Sequence, residues 1–198
     1  MDATAWDERY AATDLVWSAG PNQFVERELA DLPPGRALDL ACGEGRNACW
    51  LAGRGWQVVA MDFSSVAIDK GRRLSDQVDW QVGDALTTPL PADLDLVLIA
   101  YLQVPAPERA TAVRRSFESL VAGGSLFVVA HDSTNLAEGT GGPQDPTVLY
   151  TAEEVLEDLA DVTAKVVCAE RVARTVTAPD DPDETRTAWD ALVHLVRS

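Results

Sequence analysis

The sequence predicts an α/β protein: a mixed sheet of about seven strands with helices on both faces, finished by a C-terminal antiparallel hairpin. Three observations carry this. Short apolar runs alternate with helix-like segments through the first two thirds of the chain, which is the rhythm of a parallel sheet. One of those runs carries an acid and passes directly into a glycine turn. Two long strand-like runs close the chain, joined by the turn signal Ala178-Pro-Asp-Asp-Pro-Asp183.

The expected parallel strands are 36–41, 56–61, 78–82, 94–100 and 125–130, each short and apolar enough to be buried on both faces. Helix-like segments at 46–54, 65–74 and 108–120 separate them; Ser64 or Ser65 can cap the second, and Gly55 and Gly123 can end the first and third. The segment 131–150 is rich in glycine, proline and acids and is expected to be a polar, partly mobile loop of functional use. Thr151-Ala-Glu-Glu154 has the capping-box pattern and starts a helix to about residue 160; 162–177 and 185–196 then form the hairpin.

A chain of 198 residues with 46% hydrophobic content suits one domain, 1–198, in which residues 1–31 form an N-terminal helical lid. The formal charge of −16 would repel a phosphate backbone or an anionic lipid surface, so nucleic acid and membrane are not expected partners. The opening MDATAWDERY has neither a basic stretch nor an apolar run, and a cytoplasmic monomer or homodimer is expected. Cys42, Cys49 and Cys168 lack the spacing of a disulfide framework or a zinc site, and no metal is expected.

The chemistry is concentrated in Asp39-Leu-Ala-Cys-Gly-Glu-Gly45. In an open α/β sheet, ligands bind beyond the carboxyl ends of the strands, where a strand meets a glycine turn. Gly43 and Gly45 let the backbone approach a ligand, and Gly43-Glu-Gly-Arg-Asn-Ala48 formally satisfies the dinucleotide fingerprint G-x-G-x-x-A, with Asp62 placed for a ribose. Asp39 separates the readings. A carboxylate inside the strand sits badly beside a pyrophosphate but suits a ligand carrying an ammonium group there.

The stretch resembles the first motif of the class I S-adenosylmethionine-dependent methyltransferases, acid-x-Gly-x-Gly-x-Gly, with Ala41 in place of the first glycine. Gly45-Arg-Asn-Ala48 and Trp6-Asp-Glu-Arg-Tyr10 look most like the tellurite-resistance and thiopurine methyltransferase-like branch. The resemblance implies a Rossmann-like fold, S-adenosylmethionine as cofactor and a small-molecule methyl acceptor with a sulfur, oxygen, nitrogen or chalcogen nucleophile. It implies cofactor contacts from Asp39, Ala41, Gly43, Gly45, Arg46 and Asn47 at the turn, and from Asp62, Phe63 and Ser64 after the second strand. Asp62 would accept from the ribose hydroxyls and Phe63 would pack on adenine. Asp84, Ala85 and Leu86 after the third strand would meet the adenine edge, Ala100 and Tyr101 would wall the methyl-donor pocket, and Trp6, Tyr10 and Trp17 would fold over the cofactor. Arg9 is a second candidate, with Arg46, for the methionine carboxylate.

His131 stands at a strand's carboxyl end and is the candidate general base; His194 lies within the last strand and reads as structural. Packing is the competing reading for Tyr101, the N-terminal aromatics and His131. Two other functions stay open: an oxidoreductase holding NAD on the same glycines, and a protein that binds S-adenosylmethionine without transferring its methyl group.

Overall fold

The structure, a computed structural model, describes residues 3–13, 20–178, 181 and 183–198. Its sheet contains β1 (Arg36–Leu40), β2 (Gln57–Asp62), β3 (Val78–Val82), β4 (Leu94–Ala100), β5 (Leu120–His131), β6 (Ala164–Thr177) and β7 (Thr185–Arg197), in the order β3-β2-β1-β4-β5-β7-β6. The first five strands run parallel, and β7 lies antiparallel between β5 and β6. This is the Rossmann-like mixed seven-stranded sheet with a C-terminal antiparallel hairpin that the alternation predicts.

Successive side chains of the central strands enter two different cores, because a strand presents alternate residues to opposite faces. Leu38, Leu40, Val97 and Ile99 join one core, with Val113 and Phe117 of α5 (Ala106–Glu118) and Val155 of α7 (Ala152–Glu157). Ala37, Leu96 and Leu98 join the other, with Phe24 and Leu29 of α2 (Gln23–Leu29), Leu51 of α3 (Arg46–Ala52) and Ile68 of α4 (Ser65–Leu74). Asp39 falls between Leu38 and Leu40, so its carboxyl lies on the α3 face. The outermost strand, β6, is mostly exposed and carries Lys165, Glu170, Arg171 and Arg174, charges that discourage pairing with another sheet edge.

Three sequence expectations are corrected. Helix α5 begins at Ala106, two residues early, because Pro107 fits a first helical turn whose N–H groups lack partners anyway, and it ends at Glu118. Gly123 therefore does not end a helix: with φ 82° it lies inside β5, beside the register shift between Leu94 and Leu96, where an irregular strand needs a left-handed residue. The segment 131–150 is not a bare polar loop. It holds α6 (Asn135–Glu138) and a 3-10 turn at Pro146–Val148, and it ends in buried Leu149 and Tyr150. Buried Asn135 anchors it by accepting from Trp189 N (2.8 Å) and donating to Gly141 O (2.9 Å), a tie with no apolar periodicity to reveal it. Among the described residues no helix is long and apolar enough to cross a membrane.

Candidate active site

The strand order reverses at β1, which has β2 on one side and β4 on the other, so a crevice opens beyond their carboxyl ends. The turn after β1 occupies that point. Ala41, Gly43 and Gly45 all take positive φ, at 58°, 57° and 79°. Gly43 N donates to Asp62 Oδ2 (2.8 Å) and Ser64 N donates to Asp62 Oδ1 (2.9 Å), so one carboxylate ties the turn after β1 to the turn after β2. Burial raises the Asp62 carboxyl, and the two N–H groups oppose that by favouring the charged form. Each oxygen retains lone-pair capacity for a further donor.

Ala41 is strained where a glycine would not be, since a left-handed residue with a Cβ costs roughly 1–2 kcal/mol. Ala41→Gly is expected to stabilise the fold by about 0.5–1 kcal/mol after glycine's extra chain entropy is subtracted. Thermal unfolding would check it: the midpoint should rise by roughly 1–4 °C, and a fall would mean that the alanine methyl packs better than its φ suggests.

Asp39 is fully buried, and neither carboxylate oxygen has a hydrogen-bond partner of acceptable geometry. Burial pushes its carboxyl up from 3.8 to about 7; the Ala48 N–H and the Arg46 guanidinium pull down and Asp62 pushes further up. An orphaned buried anion of this kind fits a cation-bearing ligand. It also fixes a pH dependence. The unfolded carboxyl ionises near 3.8 and the folded one near 7, so stability falls as pH rises between them and the cost is complete above 7. Asp39→Asn should therefore stabilise the free protein at pH 8, by up to roughly 4 kcal/mol, and much less at pH 5. Melting curves at the two values check this; an equal change at both would mean that the carboxyl is not protonated in the folded state.

The N-terminal helix α1 (Ala3–Ala11) docks on α4 through polar ties. Asp7 accepts from Ser64 Oγ and from Val66 N (3.3 Å), and Lys70 Nζ donates to Tyr10 O (2.6 Å), to Thr13 O and to buried Glu44 (3.0 Å). Glu44 lies in the glycine turn, so α1 is fastened to the strand ends. Trp6 and buried Tyr10 stack at 5.5 Å, with the Arg9 guanidinium 4.9 Å from the Trp6 ring. Trp17 lies outside the described residues.

On the β4 side stands Tyr101, held at φ 62° with its N–H donating to Val129 O (2.7 Å). Its hydroxyl donates to Asp190 Oδ2 (2.9 Å) and accepts from Asn22 Nδ2 (3.2 Å). Asn22 caps α2, and its own N–H donates to Asn47 Oδ1 (2.9 Å), which joins α2 to the first turn of α3. Arg46 is half-buried beside them; burial pulls its guanidinium down while Tyr101 and Asp39 hold it up. The His131 ring centroid is 4.9 Å from that of Tyr101. Half-buried Ala100 ends β4. Phe63, Asp84, Ala85 and Leu86 line the β2–β3 side: Phe63 is exposed, and exposed Asp84 accepts from Leu86 N (2.7 Å) in a tight turn whose Ala85 carbonyl is bound by Arg115 (2.9 Å).

The described candidates thus gather along the carboxyl ends of β1–β5. Asn22, Arg174 and Asp190 belong to the same assembly and were missed. Asp190 had a signal, an acid inside the apolar run Ala188–Val193, the same feature that singles out Asp39. Among the described residues no group of three or more His, Cys, Asp or Glu side chains is arranged to hold a metal ion.

Comparison with known proteins agrees with this geometry. Residues 37–124 match the family described as a methyltransferase domain. A 2-phytyl-1,4-naphtoquinone methyltransferase from Synechococcus elongatus is 40% identical over 93 residues, 42% of this chain and 40% of that protein, so the match spans well under half the relative's length. Among solved structures, the N-methyltransferase NodS from Bradyrhizobium japonicum WM9, in complex with S-adenosyl-L-homocysteine, superposes with a TM-score of 0.73 at 18% identity, covering 100% of this chain and 99% of that one. TehB from Haemophilus influenzae superposes at 0.74 and 16% identity, covering 90% and 63%. Fold and matched segment agree: residues 37–124 match a methyltransferase-domain family, and the chain shares its Rossmann-like fold with NodS and TehB.

Proposed function

We propose that this protein transfers a methyl group from S-adenosylmethionine to a small-molecule acceptor. The observation that carries the reading is Asp39, a buried carboxylate without a hydrogen-bond partner beneath a glycine turn, with Asp62 at the next strand end. S-adenosylmethionine supplies an electrophilic methyl group on a sulfonium. The chain's own residues bind and orient it. Asp39 balances the methionine ammonium, Arg46 serves its carboxylate, and Asp62 accepts from the ribose hydroxyls. Phe63 packs on adenine, Asp84 to Leu86 meet its edge, and Ala41, Gly43, Gly45, Asn47, Ser64 and Ala100 shape the cradle. Tyr101, Trp6 and Tyr10 close over it and exclude water.

A neutral small acceptor fits an acidic chain better than a phosphate backbone does, and the naphthoquinone methyltransferase among the relatives is in keeping with that class. Membership of the tellurite-resistance or thiopurine-like branch, a cytoplasmic setting and a monomeric or homodimeric state belong to the same proposal. Release of S-adenosylhomocysteine across a panel of thiols, phenols, amines and tellurite tests it. Turnover of one class is expected; binding without turnover on every acceptor would identify a non-catalytic cofactor-binding protein instead.

A further inference from the structure

Resting on the methyl-transfer reading, we propose that Asp190 positions His131 as the general base for an acceptor that carries a hydroxyl, which makes the substrate class a phenol or an alcohol. Asp190 is wholly buried in β7, a strand otherwise apolar around it, where an acid has no packing use. Three other parts of the sheet deliver side chains to it. Arg174 Nε from β6 donates to Oδ2 at 2.7 Å, Tyr101 beyond β4 donates to the same oxygen at 2.9 Å, and His131 at the end of β5 brings Nδ1 to 3.2 Å from Oδ1, at an angle poor for a full hydrogen bond.

The division of labour follows from that arrangement. Arg174 and Asp190 cancel in charge, so the pair costs less to bury than either alone. Oδ2 is occupied by Arg174 Nε and Tyr101, and Oδ1, which takes only a long contact from an Arg174 terminal nitrogen (3.5 Å), is the oxygen that faces the imidazole. A proton on Nδ1 directed at Oδ1 fixes the tautomer and leaves the Nε2 lone pair for a substrate. Tyr101 is not a rival base, because burial and Asp190 push its hydroxyl well above the ordinary range and keep it protonated. The charged and titratable groups around the imidazole are Asp190, Arg174 and Tyr101, with Arg46 of α3 behind Tyr101. Gly142, at φ 77°, lies so close over the His131 ring that a Cβ there would stand 2.9 Å from it, so the 131–150 segment covers the base.

A thiolate or a tellurium anion arrives ionised and needs no proton acceptor; a phenol or alcohol near neutrality does. In the transfer, the acceptor O–H proton passes to His131 Nε2. The oxygen lone pair forms the bond to the methyl carbon, and the carbon–sulfur pair stays on sulfur as neutral S-adenosylhomocysteine. Asp190 stabilises the imidazolium so formed. All three of His131, Arg174 and Asp190 lie outside the matched segment 37–124.

In Asp190→Asn the pH profile of phenol methylation is expected to differ from that of the parent. S-adenosylhomocysteine affinity should stay within about threefold, while methylation of weakly acidic phenols falls at least about tenfold and the loss shrinks for strongly acidic ones. Where Asp190→Asn does not fold, His131→Gln leaves the Asp190–Arg174 pair in place and must show the same dependence on phenol acidity. An unchanged pH profile, a loss independent of acceptor acidity, or methylation of thiols or tellurite with no phenol or alcohol accepted overturns the proposal. Failure of the parent protein to bind S-adenosylhomocysteine would instead remove the methyl-transfer reading beneath it.

Discussion

Gly45→Ala is expected to cost about 2–5 kcal/mol of folding stability. Two costs combine. At φ 79° an alanine pays roughly 1–2 kcal/mol for left-handed backbone, and its Cβ would fall 2.1 Å from Cη2 of Trp80, an overlap that core overpacking data put at about 1–3 kcal/mol. Trp80 cannot yield easily: its Nε1 donates to Ser75 O (3.0 Å), and the same Cζ3–Cη2 edge also lies against Gly71, where a Cβ would stand 2.4 Å away. Gly71→Ala is the control. It meets the same ring from an ordinary helical residue and gains up to about 1 kcal/mol of helix propensity, so its net loss should be smaller. Trp80→Leu placed in the Gly45→Ala background should recover the overlap and leave the backbone strain. Thermal unfolding of the three variants beside the parent checks this, and a Gly45→Ala protein as stable as the parent would mean that the turn and the tryptophan are not packed as described.

Asp62→Ala is expected to weaken S-adenosylhomocysteine binding by roughly a hundredfold or more. Two hydroxyls would lose a charged acceptor, and each such hydrogen bond contributes about 1.5–3 kcal/mol. The sequence suggests that this change leaves the fold nearly untouched. The geometry says otherwise, because Gly43 N–H and Ser64 N–H both end on this carboxylate and would be left buried without a partner, a cost of about 1–3 kcal/mol for each. Asp62→Asn separates the two effects: its amide oxygen still serves one backbone N–H, and its NH2 cannot accept, so it should retain more stability than the alanine variant while binding remains weak. Titration calorimetry beside melting measures both, and an alanine variant with parental affinity would show that the ribose lies elsewhere.

The parallel half of the sheet was legible because each strand is a short apolar run buried on both faces, and the hairpin because its turn is written in proline and aspartate. Asp39, Gly43 and Asp62 were legible because each breaks its local pattern at a strand end. What escaped was held by polar contacts between distant residues. Asn135 orders the 131–150 segment through one amide, and nothing in a local window announces that. Asp190 is an acid in an apolar strand just as Asp39 is, but without a glycine turn beside it nothing local marks it as more than part of the hairpin. Asn22 fits a helix cap by sequence, and its second task, joining Asn47 to Tyr101, exists only once α2 packs beside α3.

Calorimetric titration of the unmodified protein with S-adenosylhomocysteine and, separately, with NAD at pH 8 and pH 6 tests the central claim most directly. The orphaned Asp39 carboxylate, ionised above about 7, requires a partner with a cationic group at the β1 turn. S-adenosylhomocysteine carries an ammonium there and NAD brings a pyrophosphate. Binding of S-adenosylhomocysteine that weakens from pH 8 to pH 6, with no measurable binding of NAD, is the expected result; tight binding of NAD and none of S-adenosylhomocysteine would contradict it.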